Sequence, residues 1–203
     1  MDDLDRLAAE LRALAPSCGP VRLVAVDGHA GSGKSTFAAR LAAAVGDDTA
    51  APVLHLDDLA SHEELFAWTD RMLAEVIAPL STGAPALYHP YDWNLRSFGG
   101  PRRLEAAPVV LVEGVGAGRR ALRPYLARLL WMERDAEESW ARGRARDGAG
   151  LRGFWDTWTV AETRHFSADP SRPFADTLIC ECREGYEGRR GPAGTARSNQ
   201  IIT

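Results

Sequence analysis

Eight residues, Gly28-His-Ala-Gly-Ser-Gly33-Lys34-Ser35, fit the pattern GxxxxGK[ST] at every fixed position. Glycines at those places let the backbone curl until successive N–H groups point at phosphate oxygens. A helix that begins near Lys34 adds its positive end. In such a loop the lysine reaches the β- and γ-phosphates and the hydroxyl after it ligates Mg²⁺. Gly28, Gly31, Ser32, Gly33, Lys34, Ser35 and Thr36 are therefore the candidate phosphate-binding residues, and ATP with Mg²⁺ the implied ligands.

A phosphate loop needs a second acidic group near the metal, usually at the end of a neighbouring buried strand. Asp57 ends Val53-Leu-His-Leu56, and Glu113 ends Val109-Val-Leu-Val112. Asp57-Asp58 could equally cap a helix, and Glu113 could be a surface charge before a turn. Gly114-Val-Gly-Ala-Gly118 reads either as a close approach to substrate or as a tight strand-to-helix turn. Further along, Arg142 and Arg146 share one helix face while Arg144 points elsewhere. Guanidinium groups suit charge spread over a transferring phosphoryl group.

These residues need a scaffold. Val21–Val26 and Pro108–Val112 are short apolar runs rich in β-branched residues, which is the pattern of buried parallel strands. Pro52–Leu56, Leu129–Met132 and Asp176–Cys180 read as further strands. Helices are expected at Lys34–Val45, at Leu65–Ile77 with Pro79 as its stop, at Ala136–Arg146 and at Phe154–Phe166. Leu4, Leu7, Leu11 and Leu14 mark a short surface helix that ends near Pro16. Strands that alternate with helices argue for an α/β three-layer sandwich with a mostly parallel sheet. One domain over 1–182 is expected, with an arginine-bearing helical lid at about 136–153. Residues 183–203, rich in Gly and Arg without periodicity, read as a disordered tail.

The bulk numbers restrict the partners. A net charge of −4 gives no global field for nucleic acid. No apolar run approaches the roughly 18 residues a membrane span needs. The acidic, amphipathic N-terminus does not read as a signal peptide, so a cytoplasmic location is expected, with a homo-oligomer left open. Cys18, Cys180 and Cys182 make no disulfide framework and show no zinc spacing. His55 reads as an interior histidine and His165 as one that caps or packs a helix. His29 lies inside the phosphate loop. Trp140, Trp155 and Trp158 either pack a lid helix or wall an acceptor.

Asp27-Gly28-His-Ala-Gly-Ser-Gly-Lys-Ser-Thr36 resembles the DGxxGSGKST loop of the uridine kinase family of P-loop kinases, with phosphoribulokinase and bacterial pantothenate kinase as more distant relatives. The likeness runs from about Val21 to Ile179. Asp57-Asp58-Leu59-Ala60 falls on that family's DSFY, whose Asp is the base toward the ribose hydroxyl; the resemblance gives that role to Asp57, while Ala60 lacks the Tyr. Tyr91-Asp92-Trp93 is similar to the YDF of the nucleoside pocket, and Arg96 takes the place of the base-reading His. Glu113-Gly114 matches the EG closing the third strand. Arg142-Gly-Arg-Ala-Arg146-Asp147 and Arg152-Gly153 look like the lid's RRIxRD…RG, with Phe154 where an Arg stands. Glu162 falls on the family's Gln, and Phe174–Ile179 on its terminal strand.

The resemblance implies a kinase that moves the ATP γ-phosphate to a hydroxyl, such as the 5′-OH of a pyrimidine nucleoside. Lys34, Asp57, Arg142 and Arg146 would be catalytic, and Ser35 with Glu113 would hold the metal. Asp57, Tyr91, Trp93, Arg96, Arg152 and Glu162 would bind the small-molecule acceptor. Arg only donates hydrogen bonds and carries a fixed charge, so Arg96 is expected to favour a carbonyl-rich or anionic acceptor. A kinase with a non-nucleoside acceptor and a nucleotide-dependent switch are the alternatives.

Overall fold

The computed structural model describes residues 3–46, 48–183 and 185–193. In chain order, α1 (Asp3–Ala13) is followed by β1 (Arg22–Asp27), α2 (Lys34–Val45) and β2 (Val53–His55). A continuous helical stretch comes next: α3 (Thr69–Arg71), a widened π turn (Met72–Ile77) and α4 (Ala78–Ser81). The short strands β3 (Ala86–Tyr88), β4 (Tyr91–Asp92), β5 (Ser97–Phe98) and β6 (Arg102–Leu104) lead to β7 (Val109–Glu113) and β8 (Leu126–Met132). Then come α5 (Ala136–Asp147), α6 (Arg152–Ala168), β9 (Thr177–Cys182) and β10 (Gly185–Arg190).

Among the described residues, six strands form one sheet in the order β10-β9-β8-β1-β7-β2. All its pairings are parallel except β10 with β9. The apolar runs become strands because both of their faces are covered. Leu23 and Ala25 of β1 join a core with Trp68, Met72, Val76 and Leu80 on one side. Val24 and Val26 meet Leu7, Leu11, Phe37 and Leu41 of α1 and α2 on the other. Side chains alternate across a strand, so a run apolar at every position belongs in the middle layer of three. A third cluster of Val115, Trp140, Trp155 and Trp158 holds α5 and α6 together over the end of the sheet.

Three expectations are corrected. Pro79 does not stop its helix, which runs on to Ser81. Proline lacks the N–H for the usual i→i−4 bond, and the π turn directly before it relaxes that ladder. Residues 185–190, expected in a tail, form edge strand β10 antiparallel to β9. Backbone pairing carries it, and the Tyr186 ring anchors it, edge-on to Phe37 at 4.9 Å and beneath the Arg40 guanidinium. Residues 194–203 lie outside the described residues. Finally, the paired strands β3–β6 and β4–β5 occupy a stretch in which no strand was expected.

Candidate active site

The carboxyl ends of parallel strands line the ligand crevice of such a sheet, and the key residues gather there. Gly28, Gly31 and Gly33 hold φ of 147°, 84° and 100°, backbone that L side chains rarely adopt. Lys34, only 7% exposed, donates from Nζ to the carbonyls of Gly28 (3.0 Å) and His29 (2.9 Å). The loop is tied down from behind by Asp27, which is fully buried. Its Oδ1 accepts from the N–H of Gly28 (2.7 Å) and Gly116 (2.9 Å), and its Oδ2 from that of Gly118 (2.8 Å). The Gly114–Gly118 run is thus a tight turn fastened to the start of the phosphate loop.

Glu113 is opposite Val26 on β1 and His55 on β2 in the strand register. Its Oε1 accepts from Ser35 Oγ at 3.0 Å and sits 2.5 Å from His55 Nδ1. Burial alone would raise the Glu113 carboxyl, but the His55 hydrogen bond and the Lys34 charge hold it below the ordinary range. The same hydrogen bond raises His55. His55 was expected inside the sheet; its side chain is 47% exposed, on the edge strand. Ser35 and Glu113 offer two hard oxygen donors side by side, the kind magnesium takes, so the pair fits that ion.

Asp57 and Asp58 lie on a 3₁₀ turn directly after β2, anchored by buried Leu56. The pair divides its work. Asp58 accepts from Tyr88 Oη (3.0 Å) and Arg102 Nη1 (2.6 Å), which occupies it structurally. No side chain among the described residues hydrogen-bonds the Asp57 carboxylate, which opens into a cleft of about 270 Å³. Asp57 is exposed at the mouth of that cleft, with protein packed close on its other sides. This enclosure raises its carboxyl, Glu113 adds to the rise, and Lys34 opposes it.

That cleft is walled by His62, Trp93, Phe154, Trp155 and Trp158, with Asn94, Arg146 and Asp147 at its polar side. Trp93 donates from Nε1 to the carbonyl of Asp57 at 3.1 Å, so the hairpin and the carboxylate are registered on each other. The rings of Trp93 and Phe154 meet at 5.8 Å and 78°. A second cavity, of about 300 Å³, is lined by Gly31, Gly33, Lys34, Ser35, Thr36, Arg142, Gly143 and Arg146. Arg146 is common to both, and Asp147 holds its guanidinium from Oδ1 (2.6 Å) and Oδ2 (3.0 Å). Arg142 faces the phosphate loop and is held by Glu181 at 2.9 Å.

Gly31 and Gly143 explain the closeness of α5 to the loop. A Cβ on Gly31 would lie 2.0 Å from the carbonyl oxygen of Ser139, and one on Gly143 would lie 2.2 Å from the Trp155 ring. Only glycine fits at either place, which is why a helix interior tolerates Gly143 despite its cost of about 1 kcal/mol relative to Ala.

Four expected acceptor residues do not line the cleft. Arg96 is exposed on the β4–β5 hairpin at φ 55° and lines neither cavity. Arg152 is exposed at the first turn of α6, also away from both. Glu162 is fully buried, and loop and indole N–H groups surround it. Tyr91 is buried behind the cleft, where its hydroxyl is 3.0 Å from His62 Nδ1. His62 lines the cleft without any mark in the sequence; Trp155 and Trp158, for which an acceptor wall was one of two readings, line it too, with Phe154 and Asp147 of the lid motif. His165 stacks flat on Phe66 at 4.8 Å.

No protein-family model matches the chain, and no curated protein matches it by sequence. Solved structures do match. A possible uridine kinase from Bacillus stearothermophilus aligns at 15% identity and a TM-score of 0.59, over 87% of this chain and 97% of that one. A candidate fructose transport system kinase from Silicibacter sp. TM1040 aligns at 21% identity and a TM-score of 0.58, over 81% and 89%. The chain therefore has the α/β fold of the P-loop kinases, the fold that its uridine kinase-like motifs imply.

Proposed function

We propose that this protein is an ATP-dependent kinase that phosphorylates a hydroxyl of a small, flat, uncharged acceptor of nucleoside type. One observation carries the reading: Arg146 is the shared wall between a cavity built on the phosphate loop and a cleft that exposes a free aspartate. A donor phosphate on one side and an acceptor hydroxyl on the other would meet at that wall. Asp57 has the freedom and the raised carboxyl of a general base poised to take the hydroxyl proton. Lys34, Arg142 and Arg146 would face the charge on the transferring group. Magnesium, when held by Ser35 and Glu113, supplies neutralisation of phosphate charge.

Aromatic rings on the cleft walls suit a planar body, with few polar groups to orient it. Among the described residues its one arginine or lysine, Arg146, is already paired with Asp147. Among the described cleft residues an anionic acceptor would therefore meet Asp57 and Asp147 without a free counter-charge, which speaks against the anionic half of the Arg96-based expectation of a carbonyl-rich or anionic acceptor. The test is ADP release from MgATP with a panel of nucleosides, free sugars, hydroxy acids and sugar phosphates. The expected result is acceptor-dependent release with nucleosides and none with the anions. Slow turnover indifferent to every acceptor would favour a nucleotide switch; preference for a sugar phosphate would overturn the acceptor class.

A further inference from the structure

Glu162 is a buried carboxylate with an unusually complete set of donors, drawn from three separate segments. Oε1 accepts from His29 Nδ1 (2.7 Å) and from Trp140 Nε1 (3.0 Å). Oε2 accepts from the Ala30 N–H (3.2 Å) and from Trp158 Nε1 (2.8 Å). His29 and Ala30 belong to the phosphate loop, Trp140 to α5 and Trp158 to α6. The side chain is 0% exposed and lines neither cavity. A carboxylate accepts only, with about four lone-pair sites, and here four donors meet them. Nothing is left over to greet an acceptor molecule.

The donors matter for where they lead. Helix α5 carries Arg142 and Arg146, which face the phosphate loop across its cavity. Gly31 already seats the loop sterically on Ser139 and Gly143 of the same helix. The buried carboxylate adds a polar tie one and two residues earlier in the loop, and through Trp158 and its own place on α6 it joins that helix to the loop as well, beside the His29–Phe166 ring contact at 5.2 Å. We propose, resting on the kinase reading for its kinetic consequence, that Glu162 is a positioning residue: it fixes the phosphate loop in register with the arginine-bearing helix and does not bind the acceptor.

Glu162→Gln keeps the shape but turns one oxygen into an NH₂ group that faces an indole N–H donor whichever way the amide is set. Misplacing a reacting group by an ångström costs on the order of 10²-fold, so kcat should fall by about that factor. Acceptor KM should stay within about threefold, because binding to the cleft is untouched. MgATP affinity, read by calorimetry without turnover, should weaken by about tenfold, one charged-type hydrogen-bonding unit of the loop being lost. His29→Ala in the Glu162→Gln background should add little, since both changes cut one link. Trp140→Phe removes a single donor outside the cleft and should lower kcat about fivefold with acceptor KM unchanged; it decides the matter if Glu162→Gln does not fold. A rise in acceptor KM above tenfold with kcat intact, in either variant, would overturn the proposal. So would full ATP affinity in folded Glu162→Gln, or additive losses in the double variant. If the wild type phosphorylates no acceptor, the kinase reading falls alone, and ATP affinity across the same variants still decides this one.

Discussion

The two cavities that meet at Arg146 are built from different materials. The phosphate side is made of backbone: a glycine-shaped loop, a helix start and the ends of adjacent strands. Its polar groups are fixed by the fold itself, so the geometry follows wherever the motif sits between a buried strand and a helix. The acceptor side is made of side chains contributed by a 3₁₀ turn, a hairpin and two helices. What it recognises depends on which rings those segments carry. The first cavity accordingly defines a class of chemistry, and the second defines a substrate.

This contrast is sharpest when the phosphate side is broken. Lys34→Ala should lower kcat by about 10³-fold, the scale of losing a preorganised charge at the transferring group. Circular dichroism should be unchanged, because the amine bonds only two loop carbonyls. Near wild-type turnover in a folded Lys34→Ala protein would show that the loop does not hold the reacting phosphates.

Asp57→Asn is the next largest, at about 10²-fold in kcat with ATP affinity spared, as expected for loss of a general base. Asp58→Asn should act instead on stability, through Tyr88 and Arg102. A mild Asp57→Asn beside a crippled but folded Asp58→Asn would reverse the assignment. The sign of the pH dependence follows from the raised carboxyl. A base must be deprotonated to act, and enclosure favours the neutral form. The acid limb of kcat/KM should therefore fall at a pH above the ordinary aspartate range, and Asp57→Asn should flatten it. An acid limb at or below the ordinary range would mean that another group limits the rate.

On the acceptor side the effects should move to KM. Phe154→Ala opens one wall without touching Asp57 or the loop, so acceptor KM should rise about tenfold while kcat changes little. Trp93 fluorescence should respond to acceptor in the absence of ATP. A Phe154→Ala protein with unchanged acceptor KM would move the binding site elsewhere.

The same difference in materials explains what the sequence disclosed. The phosphate loop is eight consecutive residues with a chemical reason for each fixed position, and β1 and β7 near the centre of the sheet are apolar runs that only a covered sheet explains. The acceptor walls are scattered from Asp57 to Trp158, and no periodicity announces that His62 and Phe154 will face one another at 6.2 Å. Glu162 shows a different failure. Position assigned it to the acceptor, but its chemistry had changed the company it keeps. Trp158 four residues earlier on the same helix face was the readable hint that an indole N–H could occupy the carboxylate. Strand β10 was hidden because an edge strand needs pairing more than pattern.

Arg96 is where the smallest effect tests the boundary between the two regions. Four residues, Trp93 to Arg96, link β4 to β5, and Asp92 Oδ1 accepts from the N–H groups of Asn94 and Leu95, at 2.9 Å each. The turn closes with Arg96 at φ 55°, which costs a non-glycine residue about 1–2 kcal/mol. Arg96→Gly removes that strain but gives the unfolded chain more freedom, a loss of about 0.4–1 kcal/mol. The net gain should be at most about 1.6 kcal/mol, which raises Tm by no more than roughly 3–6 °C for a chain of this size. Arg96→Ala keeps the strain and removes the charge, so it should leave Tm unchanged. Acceptor KM should stay within about twofold in both variants, because the side chain is outside the cleft. If both raise acceptor KM tenfold, the guanidinium swings inward when an acceptor binds, and the cleft gains the free cation it otherwise lacks. An anionic acceptor would then fit after all. If Arg96→Gly alone alters KM, the hairpin's conformation, rather than the charge, shapes the wall that Trp93 presents.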